Sequence, residues 1–183
     1  MIRFPTHTPT GSLHITKQRN TPRDFIAEAT RNWECHGWQD AAPGMATLTS
    51  IVRVGQILSA RTEAALKPFG ITFSRYELLA LLMFSSSGSL PMSKASARLQ
   101  VHPASVTNTV ARLEQDGLVL RTPDPHDGRG TLVSITDQGI ALLTLATPEL
   151  NKVFINLGVS EADRDSMLEA CKAFRRAAGD TVE

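Results

Sequence analysis

The ten residues RTPDPHDGRG, at positions 121–130, constrain the fold of this chain more than any other stretch. They hold two prolines, two glycines and two aspartates, and the apolar, β-branched runs LVLRTP and RGTLVSIT lead into and out of them. Such a turn-rich segment between two apolar runs is the signal of a β-hairpin. The sequence therefore predicts two antiparallel strands here. The candidate strand residues are Leu118, Leu120, Leu132, Val133 and Ile135.

Two short helical patterns precede this hairpin, and the tight connection QVH joins them. In the first pattern, PMSKASARLQV, Ser93 is placed to cap the helix while Ala95 and Leu99 face inward. In the second, HPASVTNTVARLEQDG, Pro103 takes the first helical position and Gly117 the stop. Two short helices joined in this way are typical of a helix-turn-helix, and a hairpin directly after it predicts a winged helix.

The second of these helices has a narrow apolar stripe and a polar face made of unusual residues. Val106, Val110 and Leu113 form the stripe. The residues opposite the stripe are Ser105, Thr107, Asn108, Thr109 and Arg112. Many exposed helices are polar, but Ser, Thr and Asn are poor helix formers, and Glu, Lys or Ala would stabilise an exposed face better. The choice favours contact with base edges and phosphates in a DNA major groove.

Longer helical patterns lie before the winged helix. The stretch from Pro43 ends in the strong stop Lys-Pro-Phe-Gly and predicts one long helix over 45–67. The next stretch, ITFSRYELLALLMFSSSG, opens with Ser74 and Glu77 in capping-box spacing. It is apolar almost all round, which predicts the buried helix of the lobe.

The last third of the chain contains two further apolar helices. Pro148 lies inside the first and indicates a kink rather than an end, because the apolar spacing resumes at Leu150. Ser160 is placed to cap the second. The helices of the winged helix already use their apolar faces in its own core. We therefore expect the two C-terminal helices and the long helix to form a two-fold interface, with Cys171 as a small buried residue.

The N-terminal region differs in composition from the rest. Residues 1–22 have almost no periodic apolar pattern and are interpreted as a loosely held tail. A helical stripe follows at Phe25, Ile26, Ala29 and Trp33, with Thr21 as its cap and Pro22 at its first position. Two interpretations stay open: this helix docks on the main body through its aromatic residues, or it covers a ligand site or a partner subunit.

The predicted fold is mainly α, a winged helix-turn-helix with a three-helix core, a β-hairpin wing and N- and C-terminal dimerisation helices. The N-terminal extension takes residues 1–42, and the DNA-binding lobe takes 72–136. The helical dimerisation region combines 43–71 with 137–183.

Composition excludes several classes of protein. The 183 residues are 42% hydrophobic and 20% charged, an ordinary globular balance, and the net charge of +1 does not by itself favour nucleic acid. No apolar run is long enough for a membrane span or typical of a secretory signal, and two distant cysteines fit a cytoplasmic location. No catalytic, phosphate-loop or dinucleotide motif is present, so we expect no enzyme, cofactor or metal site. The histidines lack ligand spacing: His7, His14, His36, His102 and His126.

The hairpin segment resembles the D-P-x-D-x-R wing signature of MarR-type (multiple antibiotic resistance) regulators. The residues that carry the resemblance are Asp124, Pro125, His126, Asp127, Gly128 and Arg129, followed by Leu132, Ile135, Thr136 and Gly139. With SVTNTVARLEQDGLVLR, similar to that family's recognition helix, the likeness covers roughly residues 44–178. It implies a mainly helical homodimer with two winged-helix lobes that bind double-stranded DNA. Most members of the family lack an extension of about 40 residues like the one found here.

The resemblance also implies roles for particular residues. Groove contacts fall on Pro103, Ala104, Ser105, Thr107 and Asn108. Arg112 takes a phosphate or positioning role, and Arg75 and Lys94, at helix starts, reach phosphates. Arg129 makes the wing-tip contact, braced by Asp127 through a charge-assisted hydrogen bond, although the two would also serve simply to close the turn.

The implied function is a transcriptional regulator, most often a repressor in this family, released from a palindromic operator by a small aromatic or lipophilic effector. Tyr76, Met83 and Phe84 are candidate pocket residues, with a place in the core as the alternative. Two other hypotheses stay open. One is a thiol switch at Cys35, which stands beside His36. The other is a winged-helix module that binds protein without DNA.

Overall fold

The computed structural model describes residues 23–125 and 127–183, without the side chains at 128 and 129. Over these residues it contains seven α-helices and three β-strands, and the chain divides into two compact units inside the second helix, between Arg53 and Val54. The helices are α1 Phe25–Cys35, α2 Ala42–Leu66, α3 Phe73–Met83, α4 Met92–Leu99, α5 Pro103–Gln115, α6 Asp137–Ile155 and α7 Glu161–Ala177. The strands are β1 Ser89–Pro91, β2 Val119–Asp124 and β3 Asp127–Ile135. The mainly α, winged helix-turn-helix prediction is confirmed.

In the N-terminal unit, helix α1 is capped by Asp24. Its Oδ1 accepts hydrogen bonds of 3.0 Å from the backbone N–H groups of Ile26 and Ala27. The prediction of Thr21 as the cap and Pro22 as the first helical residue is therefore wrong, because Asp, among the best N-cap residues, sits directly before Phe25. Residues 1–22, interpreted above as a loosely held tail, lie outside the described residues.

The turn between α1 and α2 is built on aromatic contacts. Trp33 and Trp38 meet edge to face with ring centroids 5.3 Å apart, and the His36 ring stacks on Trp38 at 5.6 Å. The backbone N–H of Trp38 donates to the carbonyl of Trp33, and Ala42 N–H donates to the carbonyl of Trp38. The aromatics therefore fasten α1 to the start of α2, while Phe25 at the far end is 73% exposed.

The C-terminal unit has one hydrophobic core, in which α3 is the central helix. Leu78, Leu79 and Leu82 of α3 are fully buried, as the all-round apolar pattern predicts. They form one cluster with residues from α5, β3 and α6, which are Val106, Val110, Leu113, Val133, Leu143 and Leu150. Helix α2 ends as predicted, in a 3-10 turn at Lys67–Phe69 closed by Gly70 with φ of 66°.

Two further helix caps, those of α3 and α4, differ from the sequence prediction. Helix α3 begins at Phe73, and the N–H of Phe73 donates to Oε1 of Glu63 on α2 at 3.0 Å, so a neighbouring helix takes the place of the predicted Ser74–Glu77 capping box. Helix α4 begins at Met92, directly after strand β1, so that Ser93 lies inside the helix. In both cases a contact with another part of the fold, and not a side-chain cap within the helix, determines the residue at which the helix begins.

The wing is the hairpin of β2 and β3, and β1 adds a third strand in the order β1-β3-β2. Val119 of β2 pairs with Ile135, and Leu90 of β1 pairs with Val133. The sequence predicted the hairpin but not β1, and Leu118, a predicted strand residue, lies directly before β2. Three residues are too few to show a periodic pattern, and β1 is fixed by its pairing with β3.

Helix α6 starts against the wing and continues through Pro148, as predicted. Gly139 in its first turn leaves no room for a side chain: a Cβ there would lie 2.4 Å from the carbonyl oxygen of Leu118. At the other end, Arg61 of α2 donates to the carbonyls of Asn156 and Leu157, at 2.7 Å for Leu157. Arg61 thus fastens the turn after α6 to α2.

Helix α7 leaves its apolar side exposed. Ser160 caps it, as predicted, by accepting a 3.1 Å hydrogen bond from the N–H of Asp163. None of its residues, all of which the structure describes, is buried, and Cys171, expected to be buried, is exposed in the single chain. Large apolar residues stay exposed on three helices: Leu48, Ile51, Val52 and Ile57 of α2, Leu145, Phe154 and Ile155 of α6, and Met167, Leu168 and Phe174 of α7. Over the described part of the chain, no helix has the length and apolar character needed to cross a membrane.

Candidate nucleic-acid interface

The connection between α4 and α5 has the tight geometry of a helix-turn-helix. Gln100 adopts a left-handed conformation with φ of 55°, which ends α4 abruptly. The buried hydroxyl of Ser96 donates to the carbonyl of Val101 at 2.7 Å and fixes the turn. His102 caps α5 by accepting a 3.2 Å hydrogen bond at Nδ1 from the N–H of Ala104, and Pro103 follows at the first helical position. These contacts set the direction of α5 relative to α4.

Helix α5, the recognition helix, turns one face into the core and the other to solvent. Val106, Val110 and Leu113 are buried. The structure brings the predicted contact residues together on the opposite, exposed side: Pro103, Ala104, Ser105, Thr107, Asn108 and Arg112. The hydroxyls of Thr107 and Thr109 donate to the carbonyls of Pro103 and Ser105 at 3.0 and 2.9 Å. Because their hydroxyl hydrogens are used in these bonds, both threonines offer a methyl group and a hydrogen-bond acceptor to a ligand.

Two ion pairs hold the C-terminal end of the recognition helix. Glu114 pairs with Arg121 of β2, whose Nε donates to Oε2 at 2.8 Å. This hydrogen bond lowers the pKa of the Glu114 carboxyl and raises the pKa of the Arg121 guanidinium. On the other side, Nη2 of Arg75 on α3 donates to Oδ2 of Asp116, which directly follows the helix.

Arg75, predicted as a phosphate contact, has surroundings that the sequence did not predict. Its side chain is only 13% exposed, and its guanidinium bonds Asp116. The start of α3 lies against the end of α5, which the sequence does not show. Lys94, the other residue assigned to phosphate, is exposed at the start of α4.

A cleft of about 890 Å³ separates the start of α4 from the wing, and we call it the wing cleft. Lys94 and Arg98 of α4 line one side, and Asp124, Asp127 and Thr131 of the wing line the other. The sequence analysis missed Arg98, although its spacing of four residues from Lys94 on a helix would have placed both cations on one face.

The tip of the wing is tightly packed. Asp124 is buried, and a Cβ at Gly130 would lie 3.0 Å from the Cβ of Asp124 and 3.1 Å from that of Asp127. This crowding explains a glycine at position 130. His126 lies outside the described residues. The backbone of Arg129 belongs to β3, but its side chain is not described, so the wing-tip contact stays a prediction.

The three candidate pocket residues differ in their burial. Tyr76 is buried and its hydroxyl lies 3.0 Å from Oγ1 of Thr147, while Met83 packs against the core. Phe84 follows the end of α3 and is 78% exposed. The assignment of these three residues to a ligand pocket stays a prediction, and their surroundings differ because an apolar run at a helix end spreads its residues around the whole helix.

An apolar cavity of about 390 Å³ lies instead between α2 and α6, and we call it the α2–α6 cavity. Its lining residues are Gly55, Leu58, Ser59, Thr62, Phe73, Val153, Phe154 and Leu157. No sequence pattern predicted this cavity, since its wall combines residues of α2 with residues of α6, far apart in the chain. Cys35 is exposed at the end of α1. Among the described residues, no group of three or more His, Cys, Asp or Glu side chains is arranged to hold a metal ion.

A buried α3, a helix-turn-helix and a three-stranded wing with an exposed polar recognition helix define a protein of the winged-helix DNA-binding class. Comparison with known proteins identifies the family within this class. The MarR family profile matches residues 73–131. The chain is 47% identical to Sco5413, a MarR family transcriptional regulator from Streptomyces coelicolor, with a TM-score of 0.70 over 77% of this chain and 99% of that one. This chain belongs to the MarR family of transcriptional regulators, whose members are not enzymes.

Other relatives agree with this assignment. The chain is 37% identical over 93 residues to YhbI, an uncharacterised helix-turn-helix regulator from Bacillus subtilis, a match covering 50% of this chain and 58% of the relative. AbsC, another MarR family regulator from S. coelicolor, is 24% identical with a TM-score of 0.65 over 73% of this chain and 93% of its own, and shows the shared fold. The chain spans about half the length of the curated relatives that it matches.

Proposed function

We propose that this chain is a homodimeric, DNA-binding transcriptional repressor that binds a palindromic operator and is released from it by a small apolar or aromatic ligand. The observation that carries the proposal is the exposed Ser, Thr, Asn and Arg face of α5 opposite a fully buried apolar stripe. A helix held this firmly by its apolar side, with short polar side chains outward, suits insertion into a major groove.

The proposed DNA contacts divide into two kinds. Pro103, Ala104, Ser105, Thr107 and Asn108 face base edges at the N-terminal part of α5, where recognition helices approach the groove most closely. Lys94 and Arg112 contact phosphates, and Arg129, braced by Asp127, enters the minor groove from the wing. Narrow minor grooves favour arginine because their negative potential is strong. These contacts place two regions of one lobe on adjacent grooves.

Dimerisation is supported by the apolar residues that the single chain leaves in solvent. Most of them lie on α2, α6 and α7, although Phe84, Val101 and Leu120 of the DNA-binding lobe are exposed as well. A monomeric protein rarely exposes so many large apolar side chains. We assign those on α2, α6 and α7 to a two-fold interface with a second copy of the chain, which would give two lobes and a symmetric operator.

The α2–α6 cavity supports the ligand-released part of the proposal. Its volume is within the range of small-molecule sites, and its wall joins α2 and α6 of the dimerisation region to Phe73 at the start of α3. Two relatives of the same fold bear on the ligand's chemistry: CouR from Rhodococcus jostii is bound to p-coumaroyl-CoA, and the DNA binding of BpsR from Bordetella bronchiseptica is regulated by 6-hydroxynicotinic acid. A ligand with an aromatic or apolar part fits the wall of this cavity.

Selection of genomic fragments by the purified full-length chain, followed by binding titrations at several salt concentrations, tests the proposal. We expect enrichment of an imperfect palindrome, with an affinity that falls steeply as salt is raised, because phosphate contacts release counterions. A chain that binds no duplex even at low salt would instead be a winged-helix module that recognises protein.

A further inference from the structure

The junction between α3 and the end of α5 contains an ion pair, between Arg75 and Asp116, that is not a strong source of stability. Arg75 lies in the first turn of α3 with its side chain 13% exposed, and Asp116 follows α5 with its side chain 50% exposed. Nε of Arg75 is buried and has no hydrogen-bond partner among the described residues. A pair with one half-exposed member contributes little to stability, and a buried donor without a partner costs free energy.

The consequence of the pair is geometric. Asp116 is the C-cap residue of α5, and its backbone N–H donates to the carbonyl of Arg112 at 3.1 Å. Holding the Asp116 carboxylate therefore holds the last turn of the recognition helix against α3. The helix is 13 residues long. A tilt of about 5° at one end of a helix about 20 Å long moves the other end by about 2 Å.

That displacement decides whether bases can be read. Hydrogen bonds to base edges need donor–acceptor distances of about 2.7–3.2 Å, so a shift of about 1–1.5 Å at Asn108 and Ser105, the displacement that the tilt gives at their positions, lengthens them beyond this range. Contacts to phosphate from long, flexible side chains tolerate such a shift. The end of α5 held by Arg75 is the end far from the proposed base contacts, where a small rotation has its largest effect on them.

We propose that Arg75 is a positioning residue that fixes the tilt of α5 through Asp116 and so sets how strongly the protein discriminates between DNA sequences. The inference rests on the proposed function, because it assumes that α5 enters a major groove. It assigns to Arg75 a role in specificity without contact to DNA.

The test compares three variants with the wild type as full-length chains: Arg75→Met, Asp116→Asn and the double variant. Methionine keeps the length of the side chain in its packed site and removes both the ion pair and the unpartnered Nε. Affinity is measured for the selected palindrome and for a random duplex of equal length over a range of salt concentrations. Lys152→Met is the matched control, since it also removes a cation of an ion pair, with Glu149 on α6, away from α5.

Each single variant is expected to lower the ratio of the two affinities about tenfold, the worth of one lost base contact, with no loss of affinity for the random duplex. The double variant should lose no more than either single variant, because both remove the same interaction. The melting temperature should change little, and Lys152→Met should keep the wild-type ratio. If Arg75→Met does not fold, Asp116→Asn still tests the proposal, because Asp116 is half exposed and its substitution does not change the core.

Three results would overturn the inference. A phosphate contact at Arg75 would weaken binding to both duplexes equally and lower the salt slope by about one in Arg75→Met alone. Unchanged ratios in both single variants would show that the pair does not set the tilt. Hydrogen exchange in the last turn of α5 gives a readout without DNA: we expect faster exchange in Arg75→Met. If the wild type preferred no duplex, the proposed function would fail, and unchanged exchange would separately remove the anchoring role.

Discussion

Asn108 lies at the centre of the exposed face of α5, one turn after Ala104, and a carboxamide there can pair with adenine through two hydrogen bonds. We expect Asn108→Ala to relax the choice of base at one position of each half-site by about 1–3 kcal/mol, with little change in affinity for random DNA. Selection from a randomised duplex pool measures this directly. Arg112→Ala is the contrasting variant, since loss of a phosphate contact weakens all sequences and lowers the salt slope. An unchanged preferred site in Asn108→Ala would mean that α5 is docked in another register.

At the same scale, the absence of a side chain at Gly139 allows α6 to pack closely against the wing. A Cβ at this position would lie 2.4 Å from the carbonyl oxygen of Leu118 and 2.8 Å from Cγ1 of Ile135. The backbone oxygen cannot move without disturbing the start of β2. We expect Gly139→Ala to destabilise the folded state by about 1–3 kcal/mol, as overpacking does, measured by thermal unfolding.

The matched control is Gly44→Ala in the first turns of α2. No atom lies within 4 Å of a Cβ built there. Alanine should therefore raise stability by up to about 1 kcal/mol through its higher helix propensity. Equal effects of the two substitutions would show that the close approach at Gly139 is absent in solution.

At the scale of elements, the pair between Glu114 and Arg121 links the recognition helix to the wing in a pH-dependent way. The hydrogen bond from Arg121 lowers the pKa of the Glu114 carboxyl in the folded state. Its contribution to stability is therefore complete above the carboxyl's pKa in the unfolded chain, and is lost as the pH falls through the lower pKa of the folded state. The side chains are 36% exposed for Arg121 and 31% for Glu114, so solvent screening keeps the effect small.

A double-mutant cycle with Glu114→Gln and Arg121→Gln isolates this pair. We expect a favourable coupling in thermal unfolding near neutral pH that declines to zero in acid, once Glu114 is protonated in both states. A coupling that stays constant across the acid range would contradict the assigned ion pair.

Helices and strands were predictable from the sequence where a long periodic pattern or a strong stop marked them. The buried α3, the stop after α2, the continuation of α6 through Pro148 and the wing hairpin all follow from such local signals. Strand β1 and the first residues of α3 and α4 did not, because a strand pairing and a carboxylate from α2 determine them. Only the folded chain shows these partners.

The candidate site divides in the same way. The exposed face of α5 was predictable because helical period alone places its residues together. The role of Arg75 was not, since Asp116 is 41 positions further along the chain. The α2–α6 cavity could not be predicted either, because the packing of the helices creates it and no sequence motif marks its wall.

At the scale of the whole molecule, the exposed apolar side of α7 carries the prediction of a dimer. Met167, Leu168 and Phe174 lie in solvent in the single chain. Burying a Leu side chain stabilises an interface by about 1.5–3 kcal/mol, whereas a carboxylate in its place would be desolvated without a partner. We therefore expect Leu168→Glu to dissociate the dimer in sedimentation at micromolar concentration. Ser166→Glu places the same charge on the polar side of α7 and should leave the dimer intact.

Loss of the dimer should weaken operator binding far more than loss of any one contact. Two linked lobes bind two half-sites, with the second held at a high effective concentration once the first is engaged. Their centres should lie about 34 Å apart, one helical turn of DNA, on one face of the duplex. Footprinting should therefore show a symmetric site for the wild type and for Ser166→Glu, and only weak, salt-sensitive protection for Leu168→Glu. A wild-type chain that sediments as a monomer yet protects the full palindrome would show that α7 has another partner and that DNA alone brings the two lobes together.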